Sequence, residues 1–176
     1  MGTPKALLRF DGATVLAHHC RALQSFGPVW VVLGARADEH IAALPAGVGW
    51  VVNSAWATTW PSDSLRVALA SVPAADELLV TLVDTPPALP DTLRALALHG
   101  APAVPVDPYG RPGHPVLLGP AERARLESGP IDGGLRALLA DAPRVSTSDP
   151  LLAIDFDDAE AWQATRGALK DRRPAR

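Results

Sequence analysis

Two periods run through the apolar positions of this chain. Leu16, Cys20, Leu23 and Phe26 recur at three- and four-residue steps, which gathers them on one face of an α-helix, and residues 29–33 follow as a continuous apolar run closed by Gly34. The pattern predicts a helix leading into a buried strand. Further along it predicts a short helix over 41–44, a strand over 50–52, a helix over 65–72 with Ser62 or Asp63 as N-cap, and a strand over 78–83 buried on both faces. Asp91 is expected to cap a helix over 92–98. Residues 103–106 and 115–118 read as strands, and Asp158 as the start of a C-terminal helix carrying Trp162.

Strands that alternate with helices imply an α/β fold with a mostly parallel sheet and helices on both faces, and such sheets bind ligands at the carboxyl ends of their strands. The expected organisation is a single domain over 1–170 with a frayed tail over 171–176. A length of 176 residues with 48% hydrophobic content suits one domain with a substantial core. The proline-rich stretch 102–120 is too interrupted by apolar residues to be a spacer and is expected to form active-site loops.

Charge narrows the partners. The formal net charge is −3 and the basic residues are scattered singly, with no stripe that would track a phosphate backbone, which argues against nucleic acid. No apolar run approaches the ~18 residues that span a bilayer, so no membrane is expected and the chain is read as cytoplasmic. The lone Cys20 cannot form an internal disulfide and falls on the apolar face of a helix, where it reads as core. Lysine occurs only at positions 5 and 170 among many arginines, which singles out Lys5 as a compact ammonium.

Three strand ends carry candidate chemistry. In "LLVTLVDTPP" an apolar run delivers Asp84 to the carboxyl edge of the sheet, and Pro86 and Pro87 stop the chain from continuing as strand. A carboxylate there suits Mg²⁺, which is bound by one or two carboxylates with phosphates and water; a turn or cap role is the alternative. In "NSAWATTWPSDSLRVAL" Asn53 follows a strand and Ser62 and Ser64 open a helix, a setting for phosphate or sugar binding or for ordinary capping. In "YGRPGHPVLLG" two glycines flank Arg111 and place His114 at the start of a strand, as a substrate contact or a satisfied loop residue.

Taken in order, "MGTPKALL", "VVLGA", "VVNSAW" with "SDSLRVAL", "LVTLVDTPP", "GRPGHPVLL", "IDGGLRALL" and "AIDFDDAEAW" resemble the successive motifs of the MobA-like NTP transferases over nearly the whole chain. The "PKALL" wording and the Gly-His-Pro loop are closest to the molybdenum cofactor cytidylyltransferase branch. The resemblance implies a three-layer Rossmann-like nucleotide-diphospho-sugar transferase fold. Family members open with a strand and a glycine-rich loop ending in Met-Gly-x-Pro-Lys, and this sequence starts at that Met-Gly; it is therefore expected to lack the usual first strand, Met1 being an internal methionine of a longer protein or the start of a truncated relative.

By the same resemblance Lys5 and Asp84 are catalytic, Lys5 neutralising triphosphate charge and Asp84 holding Mg²⁺ together with Asp155. Asn53 and Ser64, with Lys5, would contact the nucleotide, and His114, Asp132 and Arg136 the acceptor. The implied reaction moves NMP from NTP, with CTP favoured, to a phosphorylated acceptor, molybdopterin cofactor first, and releases pyrophosphate; a molybdoenzyme or maturation chaperone would then be a protein partner. The alternatives are another acceptor, such as a sugar phosphate or phospholactate, or a nucleotide-binding relative without catalysis. Departures from the family wording fall at Thr85, at Trp60 and Pro61, and at Phe156 and Asp158, and they bear on the acceptor more than on the fold.

Overall fold

Which face of each strand meets which helix is decided by strict alternation, and it can be followed in the computed structural model, which describes residues 2–74 and 77–172. Strand β5 (Leu78–Val80) pairs antiparallel with β7 (Val116–Leu118). Strand β7 meets β6 (Val104–Val106) through the Ala103–Leu117 bridge, and β6 pairs parallel with β8 (Arg144–Ser146). Leu78, Val80, Val104, Val116 and Leu118 turn to one face and pack against α3 (Pro61–Leu69), α5 (Pro120–Glu127) and α6 (Gly134–Leu138). Leu79, Ala103, Leu117 and Val145 turn to the other and meet Leu96 of α4 (Pro90–His99). Helices thus cover both faces of an α/β sheet, as the alternation of elements predicts.

A second parallel pair joins β3 (Trp30–Leu33) to β4 (Gly49–Val52). Gly49 lies beside Trp30, and a Cβ at that position would come within 2.7 Å of the indole, so only glycine lets the ring lie against the strand. Helix α1 (Val15–Gln24) packs Leu16 and Cys20 against Val29 and Val31, with the Thr14 hydroxyl accepting from Ala17 N at its start. Phe10 of the small hairpin β1 (Arg9–Phe10) and β2 (Ala13–Thr14) joins Val15, Phe156, Trp162 and Leu169 in a core closed by α7 (Ala159–Asp171). Asp158 caps α7 through Ala161 N, as expected.

Several expectations are corrected. The short helix expected over 41–44 is α2 (Ala37–Ile41), which lies earlier. Helices α3 and α4 begin at Pro61 and Pro90, with Trp60 and Leu89 as caps in place of the expected Ser62, Asp63 or Asp91, because proline is preorganised for the first helical position. Asp63 instead accepts from Trp60 N at 3.0 Å and Asp91 pairs with Arg94.

The strand expected over 78–83 stops at Val80, since the next position on β7 is Pro115, which has no N–H to offer. Leu82 is in consequence part-exposed rather than buried on both faces. Residues 102–120 hold β6 and β7 as well as loops, and their short connection makes β7 antiparallel. Of the residues expected as a tail over 171–176, Asp171 ends α7 and the Arg172 side chain is buried against Asp149; residues 173–176, like Met1, lie outside the described residues.

Candidate active site

Beyond β5 the chain runs through Leu82 to Asp84 and is then tied down carbonyl by carbonyl. The Asp84 oxygen accepts from Phe156 N at 3.0 Å, the Thr85 oxygen from His19 Nε2 at 2.9 Å, and the Pro87 oxygen from the Arg172 guanidinium at 2.5 Å. Thr85 Oγ1 donates back to Leu82 O at 2.8 Å. Three distant elements therefore fix a loop whose prolines cannot join a ladder. Burial pushes the His19 imidazole down to about 4, so it is neutral, and since a carbonyl only accepts, its proton sits on Nε2.

The loop holds the Asp84 carboxylate half-buried, and Lys5 reaches it. Lys5 lies in a 3-10 turn over Lys5–Leu7, with Nζ 3.1 Å from Asp84 Oδ2 and 2.6 Å from Asp157 Oδ1. Burial works against the Lys5 charge, but hydrogen bonds and charge from Asp157 and Asp84 outweigh it and raise the ammonium above its ordinary value. Asp155 faces the same cluster; burial first, and then the Asp84 charge, hold its carboxyl above the usual carboxylate range. Asp157 is the residue that the sequence reading left without a role. Its only signal is its place as the second Asp of Asp155-Phe156-Asp157.

Asn53 and Ser64 are brought together by a direct hydrogen bond. Asn53 is buried, its Nδ2 donating to Thr59 Oγ1 and Ser64 Oγ, both at 2.9 Å, and its Oδ1 accepting from Ala55 N at 3.0 Å. Both amide hydrogens are taken, so Asn53 organises the 53–64 loop. Ser64 acts as acceptor in that contact and retains its own O–H to donate. Trp56 and Trp60 of the same loop are exposed.

A cavity of about 590 Å³ adjoins the cluster. Leu82, His114 and Asp155 line it near the Asp84 loop, and Arg136 and Arg144 line it on α6 and β8. His114 sits with Nδ1 3.4 Å from Val80 O, and burial lowers its imidazole below the ordinary value, favouring the neutral ring. His114, Arg136 and Asp155 are thus gathered on one cavity, whereas Asp132 is exposed in the turn before α6 and does not line it. Arg144 was not anticipated. It opens a strand with two exposed positions out of three, which hides it from any periodicity.

Residues 1–147 match the family profile described as the MobA-like NTP transferase domain. Among solved structures, a homolog of Mycobacterium tuberculosis Rv0371c from Mycobacterium sp. strain JC1 is similar with a TM-score of 0.82 at 23% identity, covering 97% of this chain and 90% of that one. Rv0371c of Mycobacterium tuberculosis H37Rv in complex with manganese matches with a TM-score of 0.78 at 26% identity, over 94% and 93% of the two chains. A nucleotidyl transferase from Methanothermobacter thermautotroptrophicus matches with a TM-score of 0.78 at 26% identity, over 96% and 86%. None of the curated proteins matches in sequence.

Proposed function

Since the chain belongs to the MobA-like NTP transferase family and is a nucleotidyltransferase of that family, we propose that it transfers NMP from NTP, with CTP preferred, to the terminal phosphate of a phosphorylated acceptor, and that the acceptor is molybdopterin cofactor. The observation that carries the proposal is Lys5 held between Asp84 and Asp157 beside the cavity that His114 and Arg136 line. An oxygen of the acceptor phosphate forms a bond to the α-phosphorus, the bond from that phosphorus to the bridging oxygen breaks, and its electron pair leaves with pyrophosphate. No proton need be abstracted from a phosphate nucleophile, so positioning and charge neutralisation are what the protein must supply.

Lys5 is suited to the charge: its ammonium is preorganised on two carboxylates and can turn to a triphosphate that enters between them. Ser64, held by Asn53, offers an O–H at the start of α3 to the nucleotide. His114 and Arg136 orient the acceptor, with Asp132 at the rim.

Whether the residues fit a divalent cation can be judged from Asp155. Its carboxyl is raised by burial and by the Asp84 charge, the state of two like charges that a cation would relieve. Among the described residues no group of three or more His, Cys, Asp or Glu side chains is arranged to hold a metal by itself; Mg²⁺ needs only one or two carboxylates, for which Asp84 and Asp155 would serve, with phosphates and water completing its shell. The manganese bound by a relative of 26% identity supports a divalent site. Such a cation supplies neutralisation of phosphate charge. Among the described residues no helix is long and apolar enough to cross a membrane; we assign the chain to the cytoplasm, with a molybdoenzyme or its maturation chaperone as protein partner.

The test is pyrophosphate release with Mg²⁺, comparing CTP with GTP in the presence and absence of molybdopterin cofactor. Release that needs both CTP and the cofactor is expected. Release with CTP and a different phosphorylated acceptor would retain the transfer and replace the acceptor.

A further inference from the structure

The cavity beside the cluster is charged unevenly, and the arginines of its far wall have no carboxylate partner among the described residues. Arg111, Arg123 and Arg172 each hold a carboxylate, at Asp107, Glu127 and Asp149. Among the described residues Arg136 and Arg144 are in no ion pair, yet both line the same cavity. The end nearest the reacting cluster carries Asp155 and His114 instead.

Register gives the backbone separation of β5 and β8 along the sheet. Val80 is opposite Val116, Leu117 opposite Ala103, and Val104 opposite Arg144, so Arg144 is nearly level with Val80 but three strands away in the order β5-β7-β6-β8. Three strand spacings are about 14 Å. Partners in a parallel pair share a face, so Arg144 is on the face of Val104 and Val116 that α6 covers, and α6 itself supplies Arg136. Between the ends the lining is apolar, with Leu82, Val104, Val116, Leu135 and Leu139.

We infer that the acceptor carries a second anionic group, a carboxylate or phosphate, at the end distant from its reacting phosphate, and that Arg144 with Arg136 binds it. The inference rests on reading this cavity as the acceptor site. Arginine is the side chain suited to a planar or tetrahedral anion, through paired N–H donors, and Arg136 and Arg144, both exposed and in no ion pair among the described residues, have those donors available to a ligand in the cavity. Nucleotidyl transfer itself does not depend on that contact.

The two-ended requirement can be measured without the natural acceptor. Calorimetry would compare 1,8-octanediol bisphosphate with octyl phosphate on the full chain in the presence of CTP and Mg²⁺. The bisphosphate is expected to bind about tenfold or more tightly, in line with one charge-assisted contact, and Arg144→Gln to bring the ratio close to one with an unchanged melting temperature. Equal binding of the two probes to the wild type, a ratio unaffected by Arg144→Gln, or binding of neither would each overturn the inference. CTP-dependent pyrophosphate release, assayed separately, tells failure of this inference from failure of the proposed reaction.

Discussion

A carboxylate and a carboxamide have nearly the same shape, so Asp84→Asn removes charge and little else. If Asp84 only turned the chain, Asn would serve equally well and the effect would stay within a few tenths of a kcal/mol. The loop is held through its backbone, by Phe156 N, His19 and Arg172, and none of these contacts needs the Asp84 side chain. Folding should therefore survive the change. Lys5 would lose one of its two carboxylates and a divalent cation one of its two ligands, so transfer is expected to fall about a hundredfold or more, several kcal/mol of transition-state stabilisation, with an unaltered thermal melt. Unaltered pyrophosphate release by Asp84→Asn would take the carboxylate out of the chemistry.

His19 makes a second, independent prediction at the same scale. Its ordinary value of 6.5 is lowered to about 4 by burial, aided by the His18 and Arg172 charges and opposed by the Thr85 carbonyl and Asp84. The unfolded chain takes up a proton as pH falls below 6.5, and the folded chain does not until about 4. Stability is therefore lost progressively as pH falls through that window, by about 3 kcal/mol from this group. His19→Gln keeps an N–H that can reach Thr85 O and cannot titrate. Chemical unfolding at a series of pH values should give a flatter stability curve between 6.5 and 4 for the variant, and parallel curves would show that His19 is not the titrating group.

Elements differ in how visible they are in a sequence, and the reason is burial pattern. Helix α1 was legible because Leu16 and Cys20, with Leu23, form one apolar stripe against β3. Helix α5 was not, since Leu126 is its one buried residue and the rest reads as charge; α6 has five residues and none buried. Strand β8 alternates exposed, half-buried, exposed, too short a signal to separate from a loop. Helix starts were misplaced because Asp63 and Asp91 look like caps, while the prolines two or one residues earlier set the boundary.

The same logic governs the candidate site. Asp84 stood out because it follows an apolar strand and precedes two prolines. Asp157 is exposed, and its partner Lys5 is 152 positions away in the chain, so nothing local announced it. Asn53 was noticed for its position after β4. Its buried contacts with Thr59 and Ser64, which make it an organiser of the loop, depend on the turn around Trp56 that no periodicity reveals.

At the scale of the whole molecule, the last described residue of the chain closes on the loop that carries the first residue of the mechanism. Arg172 ion-pairs with Asp149, which is fully buried and also accepts from Leu151 N, and donates to Pro87 O three residues after Asp84. The pair is imperfect, since burial works against the Arg172 charge and Arg172 Nε has no partner among the described residues. Its net contribution to stability is accordingly small, but removing one member strands the other. Arg172→Met leaves a buried, uncompensated Asp149 and is expected to cost about 3–5 kcal/mol, which for a chain of this size lowers the melting temperature by about 6–20 °C. Adding Asp149→Asn to it removes the stranded charge while keeping an acceptor for Leu151 N, and should recover much of the loss. Pro87 O stays unpaired in both variants, so a transfer rate that remains depressed after the melt recovers would mean that Arg172 also positions the Asp84 loop. A double variant that melts as low as Arg172→Met would show that the loss comes from packing at the end of α7 and not from the buried charge.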